Sequence, residues 1–162
     1  LTFSSVVGRG TVFHLTLPLA RTPEVQASPA EPEAPRAYGL FGTKVLLVEN
    51  DETVAEATTA LLQRWRCAVR TAATSAAAID ALGDTDWVPD VIIADQHLDH
   101  GDLGSDAIAQ ARVFLLRQVP AVIVTADPSD QLQRSARREG IEVMLKPVKP
   151  AQLRALLAHL LA

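Results

Sequence analysis

From Thr43 onward the chain repeats one unit, and that repetition restricts its fold more than any other feature. A short run of β-favouring residues is followed each time by a segment with helical spacing. The runs are "KVLLVE" (44–49), "CAVRTA" (67–72), "DVIIAD" (90–95), "AVIVTA" (121–126) and "IEVMLK" (141–146). Between them, Val54, Ala57, Leu61, Leu62 and Trp65 fall at helical spacing over 52–65. Ala76 to Leu82 predict a helix ending at Gly83, Ser105 to Arg117 a third, and Ser129 to Glu139 a fourth, stopped by Gly140. Pro150 suits the first position of a last helix, whose Leu153, Leu156, Leu157 and Leu160 form one apolar stripe. Strands alternating with helices in this way imply a parallel sheet covered on both faces.

The first, third and fourth runs are the most apolar, which suits central positions, whereas "CAVRTA" reads as an edge. The expected strand order is the doubly wound 2-1-3-4-5. In such a sheet ligands bind beyond the carboxyl ends of the strands, where the winding reverses, here between the first and third strands. The first strand ends in Glu49-Asn50-Asp51 and the third in Asp95. Thr125 and Lys146-Pro147 close the fourth and fifth and face the same crevice.

Carboxylates, a hydroxyl and an ammonium around one pocket call for a cation, and Mg2+ suits an open, oxygen-lined site. The set fits phosphoryl transfer onto Asp95, with the metal and Lys146 holding phosphoryl oxygens and Thr125 donating its hydroxyl. Each residue also has an ordinary role. An Asp after an apolar strand is commonly a turn residue, "ENDE" can cap the next helix, and Lys-Pro is a common strand exit. What favours the functional reading is the coincidence of all four at strand ends, in order.

The rest of the chain is different in kind. Residues 1–20 alternate apolar and polar from Thr11 to Leu17, and Gly8 and Gly10 suggest a hairpin turn before that run. Residues 21–42 carry Pro23, Pro29, Pro32 and Pro35 among Ala, Glu and Ser, the composition of a semi-stiff linker. The expected domains are therefore 1–20, a linker over 21–42, and 43–162. Starting on Leu1 inside a strand-like run, the chain is expected to be a piece of a longer protein. The single cysteine, Cys67, fits a reducing compartment and reads as a small core residue. A net charge of −4 argues against nucleic acid as a partner. No apolar run reaches membrane-spanning length, so no membrane contact by this segment is expected. Arg134, Arg137 and Arg138 read as a solvated helix face.

Residues 43–162 resemble a response-regulator receiver domain in "VLLVENDE", "PDVIIADQHLD", "AVIVTAD" and "VMLKPVKPAQLRALL". The resemblance implies a flavodoxin-like receiver fold and a two-component phosphorelay function, in the cytoplasm. It matches Asp95 to the phosphorylated aspartate, Thr125 to the switch hydroxyl and Lys146 to the phosphate-binding lysine. It implies Mg2+ ligation by Glu49, Asn50, Asp95 and the main-chain carbonyl of His97, and a cis Lys146-Pro147 bond. The implied partner is a histidine kinase or histidine phosphotransfer protein; nothing in it fixes an oligomeric state. "GRGTVFHLTLPLA" resembles the closing strands of a histidine-kinase ATPase domain, which would make the parent a hybrid sensor kinase. Whether this segment is itself an enzyme stays open, since by this reading it is a phospho-acceptor.

Three positions depart from the pattern. Asn50 stands where the family usually has an acid, removing one charge from the metal site and weakening the expected affinity. Glu49 is longer than the common aspartate and is expected to reach metal through water, while Asp51 is expected to cap the helix. Val143 replaces an aromatic residue that would turn inward, leaving Thr125 and the fourth helix to carry any switch. His97 and Asp127 flank the pocket. Asp99, His100, Asp102 and Asp106 read as a solvated loop rather than a transition-metal site, and His14 and His159 carry no signal. The alternatives are a pseudo-receiver that binds without being phosphorylated, and a flavodoxin-like electron carrier. The latter would need a Ser/Thr/Gly-rich loop where "ENDET" stands.

Overall fold

A computed structural model describes residues 2–6, 8, 10–14, 39–83 and 87–162. The chain forms two compact units, Leu1–Pro35 and Arg36–Ala162. In the first, β1 (Thr2–Val6) pairs antiparallel with β2 (Gly10–His14), from Thr2 opposite His14 to Val6 opposite Gly10. The Phe3 and Phe13 rings lie 6.0 Å apart across the pair, and the Ser5 and Thr11 hydroxyls share a 2.8 Å hydrogen bond. The turn passes through Gly8 at φ 77°, the left-handed region where a side chain would be strained. The remaining alternation to Leu17 and the Pro-rich stretch up to residue 38 lie outside the described residues.

The second unit is the repeating part of the sequence. Its strands are β3 (Lys44–Val48), β4 (Ala68–Ala72), β5 (Val91–Asp95), β6 (Ala121–Thr125) and β7 (Ile141–Leu145). All pairings are parallel and the order is β4-β3-β5-β6-β7, which is the expected 2-1-3-4-5. The helices are α1 (Glu52–Arg64), α2 (Ser75–Leu82), α3 (Gly104–Leu115), α4 (Asp130–Arg138) and α5 (Pro150–Leu160). The third helix stops two residues earlier than the periodicity suggests. Leu116 adopts a left-handed φ of 51° and its N–H bonds back to Arg112 and Val113 carbonyls, closing the last turn without a glycine.

Period-two alternation along the central strands divides the core into two layers. Leu46, Val48, Ile92, Ala94, Ala121 and Ile123 pack with Ala78, Leu82, Ala107 and Ile108 of α2 and α3. Val45, Leu47, Val91, Ile93, Val122 and Val124 pack with Leu62 of α1 and with Leu153 and Leu157 of α5. The last helix therefore buries part of its leucine stripe as its spacing predicts, with Pro150 at its start. Cys67 is buried in the second layer, and burial pushes its thiol pKa up, as befits a packing residue.

Residues 39–42, which composition groups with the linker, are tied into this unit. Leu40 is buried among Val45 and Cys67, and Gly42 N–H donates to the Arg66 carbonyl at 2.9 Å. A single Leu among polar and small residues is too weak a signal to extend the domain from sequence, but burying it is favourable once β3 is in place.

Fourth-helix packing is thin, as its sequence suggests: Ala136 is buried and Leu132 half-buried. Its C-terminal end is held from outside. Arg112 of α3 donates through Nε to the Val119 carbonyl at 3.0 Å, and through its terminal nitrogens to the Glu139 and Gly140 carbonyls at 2.8 and 3.2 Å.

One glycine fixes the approach of α3 to the sheet. A Cβ on Gly104 would sit 2.1 Å from the Asp95 carbonyl oxygen and 3.0 Å from Ala94 Cβ. Neither neighbour can move without disturbing β5. Gly104→Ala is expected to lower the unfolding midpoint in urea, at a cost of about 1–3 kcal/mol typical of overpacked sites; an unchanged midpoint would show that α3 can slide.

Candidate functional site

Parallel registry delivers the chemistry-bearing residues to one edge. Val48 lies opposite Ala94, so Glu49 continues beside Asp95; Asp95 lies opposite Val124, and Thr125 opposite Leu145, just before Lys146. Strand parity then sorts them. Glu49 and Asp95 continue the rows Val45-Leu47 and Val91-Ile93, which face α1 and α5, and Lys146 continues the row of Met144. Thr125 continues Ala121-Ile123, which face the other layer.

Geometry follows this sorting. Lys146 Nζ lies 2.9 Å from Asp95 Oδ2 and 4.0 Å from Glu49 Oε2. Both acids are more than nine-tenths buried, at 8% and 7% exposure, while the Lys146 side chain is a third exposed. These three line the polar end of a cleft of about 610 Å3 whose remaining walls, including Leu47, Leu61, Ile93 and Val148, are mostly apolar. Burial, followed by the proximity of Asp95, pushes the Glu49 pKa up, against the opposing pull of the Asp51 N–H and Lys146. The Lys146-Pro147 bond is cis, as the family resemblance implies.

Thr125 is fully buried and does not join this cluster directly. Its Oγ1 accepts the Asp127 N–H at 3.0 Å. Asp127 in turn accepts from Ser129 N and Oγ, both at 2.9 Å, and Ser129 caps α4 by accepting the Leu132 N–H at 3.4 Å. Thus one hydroxyl beside the acid cluster is linked by hydrogen bonds to the start of the loosely packed helix.

The acidic run after β3 divides its labour. Asp51 is the N-cap of α1, accepting the Val54 N–H at 3.1 Å, while its own N–H donates to Glu49 Oε1 at 3.0 Å. Asn50 reaches across the crevice, donating from Nδ2 to Asp99 Oδ1 at 2.8 Å. His97, two residues past Asp95, is exposed and bridges to Leu103. Asp127 is half-buried in the turn described above.

The donor chemistry fits a hard divalent cation. Two buried carboxylates face one ammonium, leaving an excess negative charge in a poorly hydrated cleft, and a carboxamide stands at the neighbouring position. Glu49, Asp95, Asn50 Oδ1 and the His97 carbonyl are the oxygens that would hold it. Among the described residues no group of three or more His, Cys, Asp or Glu is arranged to bind a metal, so any cation here would rest on the Asn50 amide and the His97 carbonyl as well as on the two acids.

Composition misleads over 98–106. Asp102 is a fixed part of the structure rather than a solvated loop acid: it accepts Ser75 N at 2.7 Å and Ser75 Oγ at 2.6 Å. It thereby caps α2 from a distant segment, alongside the helix's own N-cap Thr74. Asp99, likewise, is the partner of Asn50. Neither pairing has a sequence signal, because the partners are far apart along the chain. The loop between them closes through a short 3-10 turn, Asp99–Gly101.

The chain belongs to the response-regulator receiver family: the model of the response regulator receiver domain matches residues 45–158. It is thus a receiver of two-component signalling. Over 161 residues, 98% of the chain, it is 27% identical to the Autoinducer 2 sensor kinase/phosphatase LuxQ of Vibrio vulnificus (strain YJ016), of which it spans only 18%. Among solved structures it resembles a putative response regulator from Chloroflexus aurantiacus J-10-fl (TM-score 0.65, 25% identity, 74% of this chain and 98% of that one). A two-component response regulator from Clostridium difficile matches equally well in fold (TM-score 0.65, 22% identity, 74% and 95%). Among the described residues no helix is long and apolar enough to cross a membrane.

Hydrogen bonds from Ser75 hold the Asp102 pKa below its ordinary value. A depressed carboxylate stabilises the fold above its unfolded pKa, near ~3.9, and this contribution is lost as pH falls through the lower folded value. Asp102→Asn should therefore cost about 1 kcal/mol at pH 6. In urea melts, the gap from wild type should close on acidification below about pH 4. A gap independent of pH would show that the Asp102 charge does not matter.

Proposed function

We propose that this receiver accepts a phosphoryl group on Asp95 from a phosphohistidine of a histidine kinase or histidine phosphotransfer protein, with Mg2+. The observation that carries the reading is the buried Asp95 carboxylate held 2.9 Å from Lys146 Nζ beside a second buried acid. An Asp95 oxygen would attack phosphorus, the N–P bond of the phosphohistidine would break, and the imidazole would leave with its electron pair. Water attack on phosphorus would later return Asp95 to a carboxylate. Bound Mg2+ would neutralise phosphoryl charge and align its oxygens. Lys146 would pass from the carboxylate to the incoming phosphoryl group, which brings about −1.5 to −2 charge.

Thr125 supplies the switch in this reading. Its hydroxyl accepts from Asp127 N–H and keeps its own proton to donate, so turning toward a phosphoryl oxygen would weaken the Thr125–Asp127–Ser129 chain that caps α4. Half-buried Val143 packs in the core layer and offers no polar or aromatic group for the purpose. With Arg112 gripping the far end of α4, the start of the helix is the end left to move. Phosphorylation then biases a population between two α4 arrangements read by a partner.

The setting is proposed as a hybrid sensor kinase in the cytoplasm. The match to LuxQ, by name a sensor kinase/phosphatase, extends over 98% of the chain, which supports a kinase as the parent. The competing reading, an unphosphorylated interaction module, draws on Asn50, whose side chain is engaged by Asp99.

Intact mass after incubation with acetyl phosphate and Mg2+ tests the proposal. The expected outcome is one phosphoryl adduct on wild type and none on Asp95→Asn, with faster hydrogen exchange across residues 126–145 in the modified protein. No adduct at high Mg2+, together with no beryllofluoride binding, would sink it in favour of the interaction module. An adduct with unchanged exchange would leave the acceptor chemistry standing and remove the α4 route.

A further inference from the structure

Asp99 carries no role in the chemistry described so far, yet it meets Asn50, the uncharged member of the expected cation site. We infer that Asp99 is a positioning residue of that site, restoring through Asn50 part of the negative charge that position 50 lacks. The inference rests on the Mg2+-dependent reading above.

The argument begins with the hydrogen bond. Asn50 Nδ2 donates to Asp99 Oδ1 at 2.8 Å. A carboxylate can only accept, so Asp99 dictates which end of the carboxamide it meets. The amide oxygen is therefore turned away from Asp99, as the end remaining for a cation. The hydrogen bond is charge-assisted, and an anion on the N–H side of an amide shifts electron density toward its oxygen. A carboxylate placed one hydrogen bond behind a ligand is the usual outer-shell device for orienting it and raising its basicity.

Placement of Asp99 is itself fixed. The segment that carries it leaves β5 directly after Asp95, folds through the Asp99–Gly101 turn, and is anchored three residues later where Asp102 takes both hydrogen bonds from Ser75. Leu98 N–H donates to the Asp102 carbonyl at 3.1 Å, and Gly104 N–H to the Gln96 carbonyl at 3.1 Å, closing the loop at its base. Asp99 is exposed at the tip of this closed loop, so its substitution leaves the core intact.

An acid at position 50 would accordingly be a poor simple repair. Asn50→Asp would set two carboxylates at hydrogen-bond distance with no proton between them, and the metal-free site would be pushed apart.

Mg2+ titration of the full 162-residue chain by calorimetry, paired with thermal midpoints in EDTA and in Mg2+, tests this. Asp99→Ala should weaken Mg2+ binding about tenfold. Asp99→Asn, whose amide oxygen can still accept from Asn50, should lose less. Asn50→Asp alone should melt lower than wild type in EDTA and regain stability with Mg2+ or with Asp99→Asn added. Wild-type affinity in Asp99→Ala, with wild type itself binding Mg2+, would overturn the role of Asp99 and leave the proposed phosphoryl chemistry untouched. No Mg2+ binding by wild type would overturn both, so the two failures are distinguishable.

Discussion

Lys146 Nζ at 2.9 Å from Asp95 and 4.0 Å from Glu49 is the contact on which the site depends. Two carboxylates buried this deeply at the ends of apolar strands would be unfavourable alone, and desolvation already raises the Glu49 pKa. One ammonium, itself partly exposed, relieves both without neutralising them fully. The remaining negative charge would suit a cation in the crevice, and in the proposed reaction the partial exposure of Lys146 would let it pass from one anionic partner to another.

That contact exists because a parallel sheet brings all its strand ends to one edge, and because side chains alternate along each strand. Glu49 and Asp95 continue rows packed by α1 and α5, whereas Thr125 continues the row packed by α2 and α3. A shift of one residue in any of these registers would send the acid to the opposite layer. The same parity that gathers the charges keeps the hydroxyl apart from them, and its hydrogen bond to Asp127 joins it to α4 instead. The proposed acceptor chemistry and the element proposed to move thus lie on opposite faces of one sheet, at the neighbouring ends of β5 and β6.

Polar pairs between loops set the finer geometry. Asn50 with Asp99, and Ser75 with Asp102, draw the segments after β3, β4 and β5 around the crevice. Gly104 allows α3 to approach the Asp95 backbone at a distance no side chain permits. Arg112 satisfies three carbonyls at once and anchors the α4 C-terminus, so a helix with few apolar contacts still has one fixed end.

Sequence by itself determined the strand order, the two-layered core, the N-cap at Asp51, the start of α5 at Pro150 and the sheet edge that carries Glu49, Asp95, Thr125 and Lys146. These follow from local periodicity and from the topology that periodicity forces, so short-range pattern suffices. Tertiary structure decided what local pattern cannot hold. It placed Leu40 in the core, closed α3 at Leu116 without glycine, and turned two apparently solvated acids, Asp99 and Asp102, into partners of Asn50 and Ser75. Apart from the local closure at Leu116, the energy lies in contacts between residues distant in the chain. An exposed acid and a capping acid read alike until the fold brings the N–H to meet them.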